Sequence, residues 1–288
     1  MEYFIHIIIL VSIFSILGLS LNLVVGETGL LSVTQAAFYG IGAYATAILS
    51  VDAGMNLFLA TICSIVLTGL VALGIGVVLS RLKGDYYTLG SFGFNIIISS
   101  IFLNWQEVTH GQLGVAGIPR PEIFGFHFLD SFSFLFLALA VLALVYCVCW
   151  FITKSSFGRV LRSIREDEDV MSVFGYRTTN YKLVIFVISA MLAAVAGAVF
   201  ASYISFIDPS NFTLNESIFV LAIIIMGGLS SHRGAIVGAL FLIILPEVLR
   251  FVGLSLDAAS FVRQLAYGLI LVLLMLYRPQ GFLGKFRL

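Results

Sequence analysis

Apolar runs of about 20 residues recur along almost the whole chain, and no other feature restricts its fold as strongly. A helix needs about 20 such residues to cross the hydrocarbon of a bilayer. With 60% hydrophobic residues, 10% charged residues and a mean hydropathy of +1.11, the chain does not have the composition of a water-facing protein. The candidate spans are residues 3–25, 30–50, 57–80, 86–104, 131–152, 183–206, 216–228, 235–252 and 260–277.

These runs predict an all-α polytopic membrane protein, a bundle of eight to ten transmembrane helices in a single domain over residues 1–288. Segment 216–228 is short, and segments 30–50 and 86–104 are rich in Gly, Ser, Thr and Tyr, so each of the three is a candidate for a broken or re-entrant helix. The first run lacks a basic region and a cleavage site, so we expect a retained span rather than a signal peptide. The net charge of zero favours no nucleic-acid partner.

The distribution of Lys and Arg predicts the orientation, because these residues are enriched in cytoplasmic loops. Most of them lie in segment 153–182 and in the C-terminal tail, and we expect both on the cytoplasmic side. With nine spans, the turns near residues 81 and 232 fall on the same side, whereas the N-terminus and the loop 105–130 fall outside. We expect that loop to be mainly a solvated connector, with contact to an external partner as the alternative.

The stretch RSIREDEDVMSVFG, residues 162–175, concentrates charge in this apolar chain. Ser163 stands three residues before Glu166, which is the pattern of a capping box at a helix N-terminus. Acidic residues in the first turn are favoured by the helix dipole, and Gly175 stands where a left-handed stop is expected. The pattern predicts a short helix over about residues 164–174.

Such a short helix is marginal in water and needs a surface to pack against. Ile164, Met171 and Phe174 share one face of it, with Val170 at the border. The alternative is a loop whose charges only set the membrane topology. We favour a docking element, and its predicted residues are Ser163, Ile164, Arg165, Glu166, Asp167, Glu168, Val170, Met171, Phe174 and Gly175.

Several stretches resemble one family over nearly the whole chain and in the family's order. They are SLNLVVGETGLLSVTQAAFYGIGAY (20–44), RLKGDYYTLGSFGF (81–94), GRVLRSIREDED (158–169), YKLVIFVISAMLAAVAGAVFA (181–201), MGGLSSHRGAIVGA (226–239), LPEVLR (245–250) and RQLAYGLILVLLMLYRPQGFLG (263–284). The chain is similar to the permease subunits of bacterial branched-chain amino acid ABC importers, the LivM type.

The resemblance implies an inner-membrane permease that pairs with a second, homologous permease, binds two cytoplasmic ATPases and receives substrate from an external binding protein. The charged loop would then be the coupling helix. ATP and Mg²⁺ would be used by the ATPases, while this chain would bind no cofactor and would not be an enzyme. Val170 and Met171 stand where the family usually has two alanines, and Gln35 stands where a His is frequent.

Polar residues inside the predicted spans are candidates for the substrate route, because polar groups at membrane depth normally face a bundle interior. The alternative for each is an ordinary hydrogen bond between helices, worth about 0.6 kcal/mol on average. For Glu247, neutralisation by Arg250 three residues later is a further possibility. The route candidates are Asn22, Thr34, Gln35, Tyr39 and Asn95, followed by Glu216 and Glu247.

Three other functions remain to be weighed against the importer. A permease for urea or short amides is the alternative cargo, and an ion-coupled secondary transporter is a different mechanism. Against the latter, we find no unpaired intramembrane acid or His that signals ion coupling. A membrane enzyme requires clustered reactive residues, whereas the four histidines are scattered along the chain.

Overall fold

The computed structural model describes residues 2–123, 126–127, 130–250, 268–269 and 281–284, with the side chains of 122–123, 126–127 and 247–250 left aside. Nearly all the described residues are helical. The α-helices are α1 (Glu2–Thr28), α2 (Gln35–Val51), α3 (Leu57–Leu79), α4 (Asp85–Asn104), α5 (Gln106–Thr109), α6 (Ser131–Lys154), α7 (Ser156–Glu166), α8 (Glu168–Val173), α9 (Thr178–Ile204), α10 (Leu214–Gly227) and α11 (His232–Arg250). The short strands are β1 (Val115–Ala116), β2 (Glu122–Ile123), β3 (Phe126–His127) and β4 (Phe206–Ile207).

The long helices confirm an all-α polytopic membrane protein. Among the described residues, α1, α3, α4, α6 and α9 are each long and apolar enough to cross a bilayer. α10 and α11 together pass the same test but are bent by 119°, as in a broken span or a re-entrant loop. These helices supply five or six of the eight to ten predicted spans, and α2 is a shorter apolar helix of 17 residues. The predicted span 260–277 lies almost wholly outside the described residues.

The three segments predicted to be irregular behave differently from one another. Segment 216–228 corresponds to α10, the first half of the bent pair. Segment 30–50 is helical only from Gln35, because residues 29–34 form a non-helical connector. For segment 86–104 the expectation is wrong, since α4 runs unbroken over 20 residues.

Helix α1 lies at the centre of the bundle and packs against α6, α9, α10 and α11. Its sequence is apolar on all sides, which suits a helix surrounded by protein. Small residues bring α2 and α9 into close contact: a Cβ at Gly42 would lie 2.4 Å from the Cα of Ala194, and one at Gly197 would lie 2.2 Å from the carbonyl oxygen of Tyr39. By contrast, α3, α4 and α6 leave most of their surface exposed, as helices that face lipid or a partner do.

The two ends of the bundle group the loops as the charge distribution predicts. At one end, Glu27, Lys83, segment 153–182 and the α10–α11 turn lie together. Residues 281–284 join this end, where Phe282 N–H donates to the carbonyl oxygen of Met226 at 2.8 Å and satisfies a free carbonyl at the end of α10. We call this region the charged end.

At the opposite end, the described part of the loop that follows α4 has mostly exposed residues, as expected of a solvated connector, but it packs on the bundle at a few apolar positions. Val115 of β1 pairs with Ile207 of β4, and the side chains of Val115 and Ile118 are 3% and 2% exposed. The imidazole of His110 lies 3.7 Å from the carboxylate of Asp52. Burial of these apolar side chains attaches the described part of the loop to the bundle.

Candidate functional site

The charged segment forms two helices rather than the single helix predicted over residues 164–174. α7 begins at Ser156, and the hydroxyl of Ser155 accepts a hydrogen bond from Gly158 N–H at 3.3 Å. Gly158, Leu161 and Ile164 recur every three residues, and all three are buried against the bundle. The apolar repeat of this helix therefore starts well before Ser163.

The predicted capping box at Ser163 and Glu166 is wrong, because Ser163 lies inside α7. Its hydroxyl donates to the carbonyl oxygen of Arg159 at 3.1 Å, which is the usual bond of a serine within a helix. Glu166 is the last residue of α7, and its carboxylate pairs with Arg165 at 3.2 Å.

Asp167 separates the two helices and caps the second one. Its backbone is extended, with φ −158°, and its carboxylate accepts a hydrogen bond from Val170 N–H at 3.0 Å. Glu168 and Asp169 occupy the first turn of α8, where the helix dipole favours acidic residues. The predicted acidic start thus exists, one short helix later than expected.

Gly175 ends α8 as the sequence predicts. Its φ of +86° lies in the left-handed region, which glycine adopts without steric cost. Tyr176 N–H donates to the carbonyl oxygen of Met171, and Gly175 N–H donates to that of Ser172. This pair of bonds is the Schellman motif, which satisfies the free carbonyls of the last turn.

Glu168 attaches α8 to the beginning of α9. Its two carboxylate oxygens accept hydrogen bonds from Lys182 at 2.5 Å and from Thr178 at 3.0 Å. Partial burial opposes ionisation, but these two partners outweigh it and hold the pKa of Glu168 below its ordinary value. We refer to this group of three residues as the Glu168 tether.

The apolar residues of the charged segment divide between two surfaces. Ile164 is 3% exposed and faces the bundle, so it does not share a face with the apolar residues of α8. Arg165 also points inward, where its guanidinium donates to the carbonyl oxygen of Gly26 and its side chain is 9% exposed. Both residues therefore pack on the bundle in this chain, and their docking role stays a prediction.

The remaining apolar side chains project from α8 into the surroundings. Phe174 is 74% exposed and Val173 is 87% exposed, and Met171 is half-buried. Sequence reasoning missed Val173 and Tyr176, although both are apolar residues adjacent to predicted ones. We call this surface the apolar tip, and its members are Val170, Val173, Phe174 and Tyr176.

Three of the predicted route residues lie in or next to the connector at residues 29–34. Asn95 donates to the carbonyl oxygen of Val33 at 2.8 Å and to the hydroxyl of Ser217 at 2.7 Å. Thr34 bonds to Ser32, and Gln35 donates to the hydroxyl of Ser20. All three are at most 2% exposed, so they lie inside this chain's own bundle.

The other route candidates lie elsewhere. Tyr39 is buried among aromatic rings, with Phe212 at 5.0 Å between centroids. Asn22 lies at the charged end, where its amide oxygen accepts a hydrogen bond from Ser230 N–H. Glu216 is half-buried near the start of α10. The predicted pair of Glu247 with Arg250 involves side chains outside those described.

The residues that hold the connector were not identified from the sequence. Ser91 accepts a hydrogen bond from Val33 N–H, Thr88 donates to the carbonyl oxygen of Leu31, and Ser217 accepts from Ala36 N–H. Thr88, Ser91 and Asn95 recur at spacings of three and four, which places them on one face of a helix. That polar stripe in an apolar span was the available signal.

No cluster suited to metal binding is found in the described part of the chain. The charged end instead presents the projecting apolar tip beside ionic and hydrogen-bonding groups. Such an arrangement fits a protein partner rather than a bound small molecule.

Comparison with known proteins identifies the family. Residues 3–277 match the family described as "Branched-chain amino acid transport system / permease component". The chain is 36% identical to the "High-affinity branched-chain amino acid transport system permease protein LivM" of Salmonella typhimurium, over 96% of this chain and 68% of that protein. It is 35% identical to the protein of the same name from Escherichia coli, over 96% of this chain and 69% of the relative.

A second type of permease is also related. The protein LivH of Escherichia coli, likewise named as a high-affinity branched-chain amino acid permease, is 29% identical over 95% of this chain and 92% of its own length. No solved structure shows a significant match. The match to the family over nearly the whole chain shows that this protein belongs to the permease components of branched-chain amino acid transport systems.

Proposed function

We propose that this chain is the LivM-type permease of an ABC importer in the bacterial inner membrane. It carries branched-chain amino acids together with a second, LivH-like permease, and two cytoplasmic ATPases drive the movement. An external binding protein delivers the substrate. ATP and Mg²⁺ are used by the ATPases, and this chain contributes the pathway and the docking surface. The names of the relatives support the cargo and the second permease.

The apolar tip is the observation that carries the docking proposal. α8 is capped at both ends and held by the Glu168 tether, so its exposed apolar residues are presented on a fixed backbone. Burying one such side chain in a groove contributes about 1.5–3 kcal/mol. We define the coupling segment as residues 156–175, with α7 as its attachment to the bundle and α8 as its contact with the ATPase.

The side of the membrane follows from the same arrangement. The charged end carries the segment 153–182, and residues 281–284 pack there against the end of α10. Because segment 153–182 alone holds six of the 15 Lys and Arg residues and lies beside Lys83, we assign the charged end to the cytoplasm. The C-terminus is then cytoplasmic, and the loop after α4 faces the binding protein.

The connector at residues 29–34 is our proposal for the position of the substrate route within this chain. Non-helical backbone at membrane depth is tolerated where protein buries it or where it lines a cavity. Thr34 lies in the connector, Gln35 follows it and Asn95 bonds to it, so these three residues would border that route. For Asn22 and Tyr39 the route role stays a prediction, and the contacts of Asn22 favour a different role.

Uptake into proteoliposomes tests the transport class. The four kinds of subunit should take up leucine only with ATP inside and binding protein outside, and an ionophore should leave uptake unchanged. Uptake without ATP that collapses with the proton gradient would identify an ion-coupled transporter instead. Urea or short amides competing better than leucine would indicate the alternative cargo.

Docking is tested by Phe174→Asp and Val173→Asp. Each variant should insert normally but retain less than a tenth of the ATPase during purification, because a carboxylate opposes burial in an apolar groove. The matched control is Leu113→Asp, whose side chain is equally exposed at 84% but lies at the opposite end. Normal retention of ATPase by both tip variants would overturn the docking proposal.

A further inference from the structure

Glu27 places a carboxylate inside the charged end, beside the coupling segment. Its side chain is 2% exposed, and it lies one residue before the end of α1. The helix dipole disfavours a negative charge there. A buried charge in such a position requires ion pairs or hydrogen bonds, so its contacts indicate what the residue does.

One oxygen of Glu27 is satisfied and the other is not. Oε1 accepts a hydrogen bond from the hydroxyl of Ser230 at 2.9 Å. Oε2 accepts none from any described residue, and the guanidinium Nη1 of Arg162 lies 3.8 Å from it. A charge-assisted hydrogen bond has a length of about 2.8 Å. A shift of Arg162 by about 1 Å towards Oε2 would therefore make this bond, and the opposite shift would leave Arg165, which is held on Gly26, as the remaining cation that acts on the carboxylate.

Ser230 connects this carboxylate to the turn between α10 and α11. The turn joins two helices bent by 119°. Ser230 has a φ of +59°, a left-handed conformation that is strained for a residue with a side chain. Its N–H also donates to the amide oxygen of Asn22 at 3.0 Å. Two side chains of α1 thus hold a strained turn in a single conformation.

A second chain of contacts leads from Arg162 to the same place. Its Nη2 donates to the carbonyl oxygen of Thr153 at 3.1 Å, near the end of α6. The hydroxyl of Thr153 in turn bonds to Nε2 of His232 at 2.9 Å, and His232 is the first residue of α11. Arg162 is therefore linked to both sides of the α10–α11 turn, to Ser230 through Glu27 and to His232 through Thr153.

We propose that Glu27 and Arg162 relay displacement of the coupling segment to the bent α10–α11 pair through Ser230. Glu27 is a positioning residue for transport. Movement of the partly exposed Arg162 with the coupling segment changes the Glu27–Arg162 distance, and that distance decides whether the buried carboxylate still holds Ser230 in its strained conformation. The inference rests on the proposed function, because the displacement is supplied by the ATPases.

The test is the number of ATP molecules hydrolysed per leucine transported by the complete importer in proteoliposomes. Glu27→Gln keeps an acceptor for Ser230 but removes the charge that faces Arg162. We expect it to retain normal amounts of ATPase and normal basal hydrolysis, while the ATP used per leucine rises at least fivefold. Arg162→Gln should produce a similar rise. The double variant should be no worse than Glu27→Gln alone, because Arg162→Gln removes an interaction that Glu27→Gln has already removed.

Two further variants separate relay from folding. Ser230→Gly removes the hydroxyl, and relief of the left-handed strain offsets part of the cost of leaving the Glu27 carboxylate without its hydrogen bond. It should therefore accumulate in the membrane at close to the wild-type level and still raise the ATP used per leucine at least threefold. Arg159→Gln is the matched control, since Arg159 is an exposed cation of the same helix whose bonds are to Lys154 and Ser156. It should leave the ratio unchanged.

Each outcome supports or overturns the relay. If Glu27→Gln does not accumulate in the membrane, the ATP used per leucine by Ser230→Gly and Arg162→Gln tests the relay. Unchanged ratios for these two, or rises that multiply in the Glu27→Gln and Arg162→Gln double variant, would overturn the relay. Failure of the wild-type chain to transport with ATP would instead remove the proposed function. A defect of Phe174→Asp alone would keep that function and reject the relay.

Discussion

The two helices of the coupling segment are adjacent in sequence but opposite in surroundings. α7 buries Gly158, Leu161 and Ile164 in the bundle. α8 buries none of its residues and is attached chiefly by Glu168. The difference shows that one charged segment performs two tasks. α7 holds the position of the segment, and α8 presents a surface whose partner is not part of the chain.

The largest expected effect is a difference in the free energy of unfolding between a variant of α7 and a variant of α8. Leu161→Ala removes a fully buried side chain from the core, and the cavity should lower the free energy of unfolding by about 2–5 kcal/mol. Val173→Ala in α8 should change it by less than about 0.5 kcal/mol, because that side chain is 87% exposed. Thermal unfolding in detergent measures both. Equal losses would show that α8 is as much a part of the core as α7.

A smaller effect is expected at the Glu168 tether. Glu168→Gln should lower the free energy of local opening of α8 by about 1.5 kcal/mol, since it removes the charge from two hydrogen bonds. Amide hydrogen exchange over residues 168–174 should increase, while exchange in α7 should not. Loosening of α7 to the same extent would mean that the two helices move as one unit.

The same tether makes the stability of α8 depend on pH. Because the folded-state pKa of Glu168 lies below the ordinary 4.5, its contribution to that stability is fully present above pH 4.5 and is lost as the pH falls through the folded pKa. Exchange in wild-type α8 should therefore increase on acidification to that range. In Glu168→Gln the increase should be absent, and an unchanged pH profile in that variant would assign the effect to another group.

The effect next in size is expected at Asp167, which caps α8. Asp167→Ala should lower the free energy of local opening of α8 by about 0.5–2 kcal/mol, because the carboxylate that accepts a hydrogen bond from Val170 N–H is lost. Ser163→Ala should have almost no effect, since Ser163 lies within α7 and is exposed. Exchange over residues 168–174 distinguishes the two variants. A larger loss for Ser163→Ala would restore the helix start expected from the sequence.

This misplaced helix start illustrates what the sequence could and could not predict. Long apolar runs predicted the membrane class and eight of the eleven described α-helices, α1–α4, α6 and α9–α11, because hydropathy alone decides whether a helix suits lipid. The break at Asp167 depends on α7 being fixed to the bundle by Leu161 and Arg165, which are tertiary contacts. A single helix and two helices satisfy the same local pattern. Gly175 was predicted correctly because a left-handed stop is a local requirement.

The predicted site was affected by the same limit. Asn22 and Asn95 were grouped only as polar residues in spans, and the structure adds the partner of each: Asn22 bonds to the α10–α11 turn and Asn95 to the connector. Glu27 was not singled out, because its burial beside Arg162 arises from packing between segments far apart in sequence. Polarity at membrane depth identifies residues with partners, whereas the partner itself is set by the fold.

The smallest effect is expected at the second ion pair of α8. Asp169 lies 3.8 Å from Lys83, and the two side chains are 90% and 79% exposed. Exposed pairs contribute little because water screens the charges and ordering two flexible side chains has an entropic cost, so Asp169→Asn should weaken the attachment of α8 by less than about 0.5 kcal/mol. Hydrogen exchange over residues 168–174, at low and high salt, compares Asp169→Asn with Glu168→Gln. Asp169 and Glu168 are neighbours that differ mainly in burial and in their partners. A loss of exchange protection in Asp169→Asn as large as that in Glu168→Gln would therefore mean that α8 is held at the α3–α4 turn as firmly as at α9.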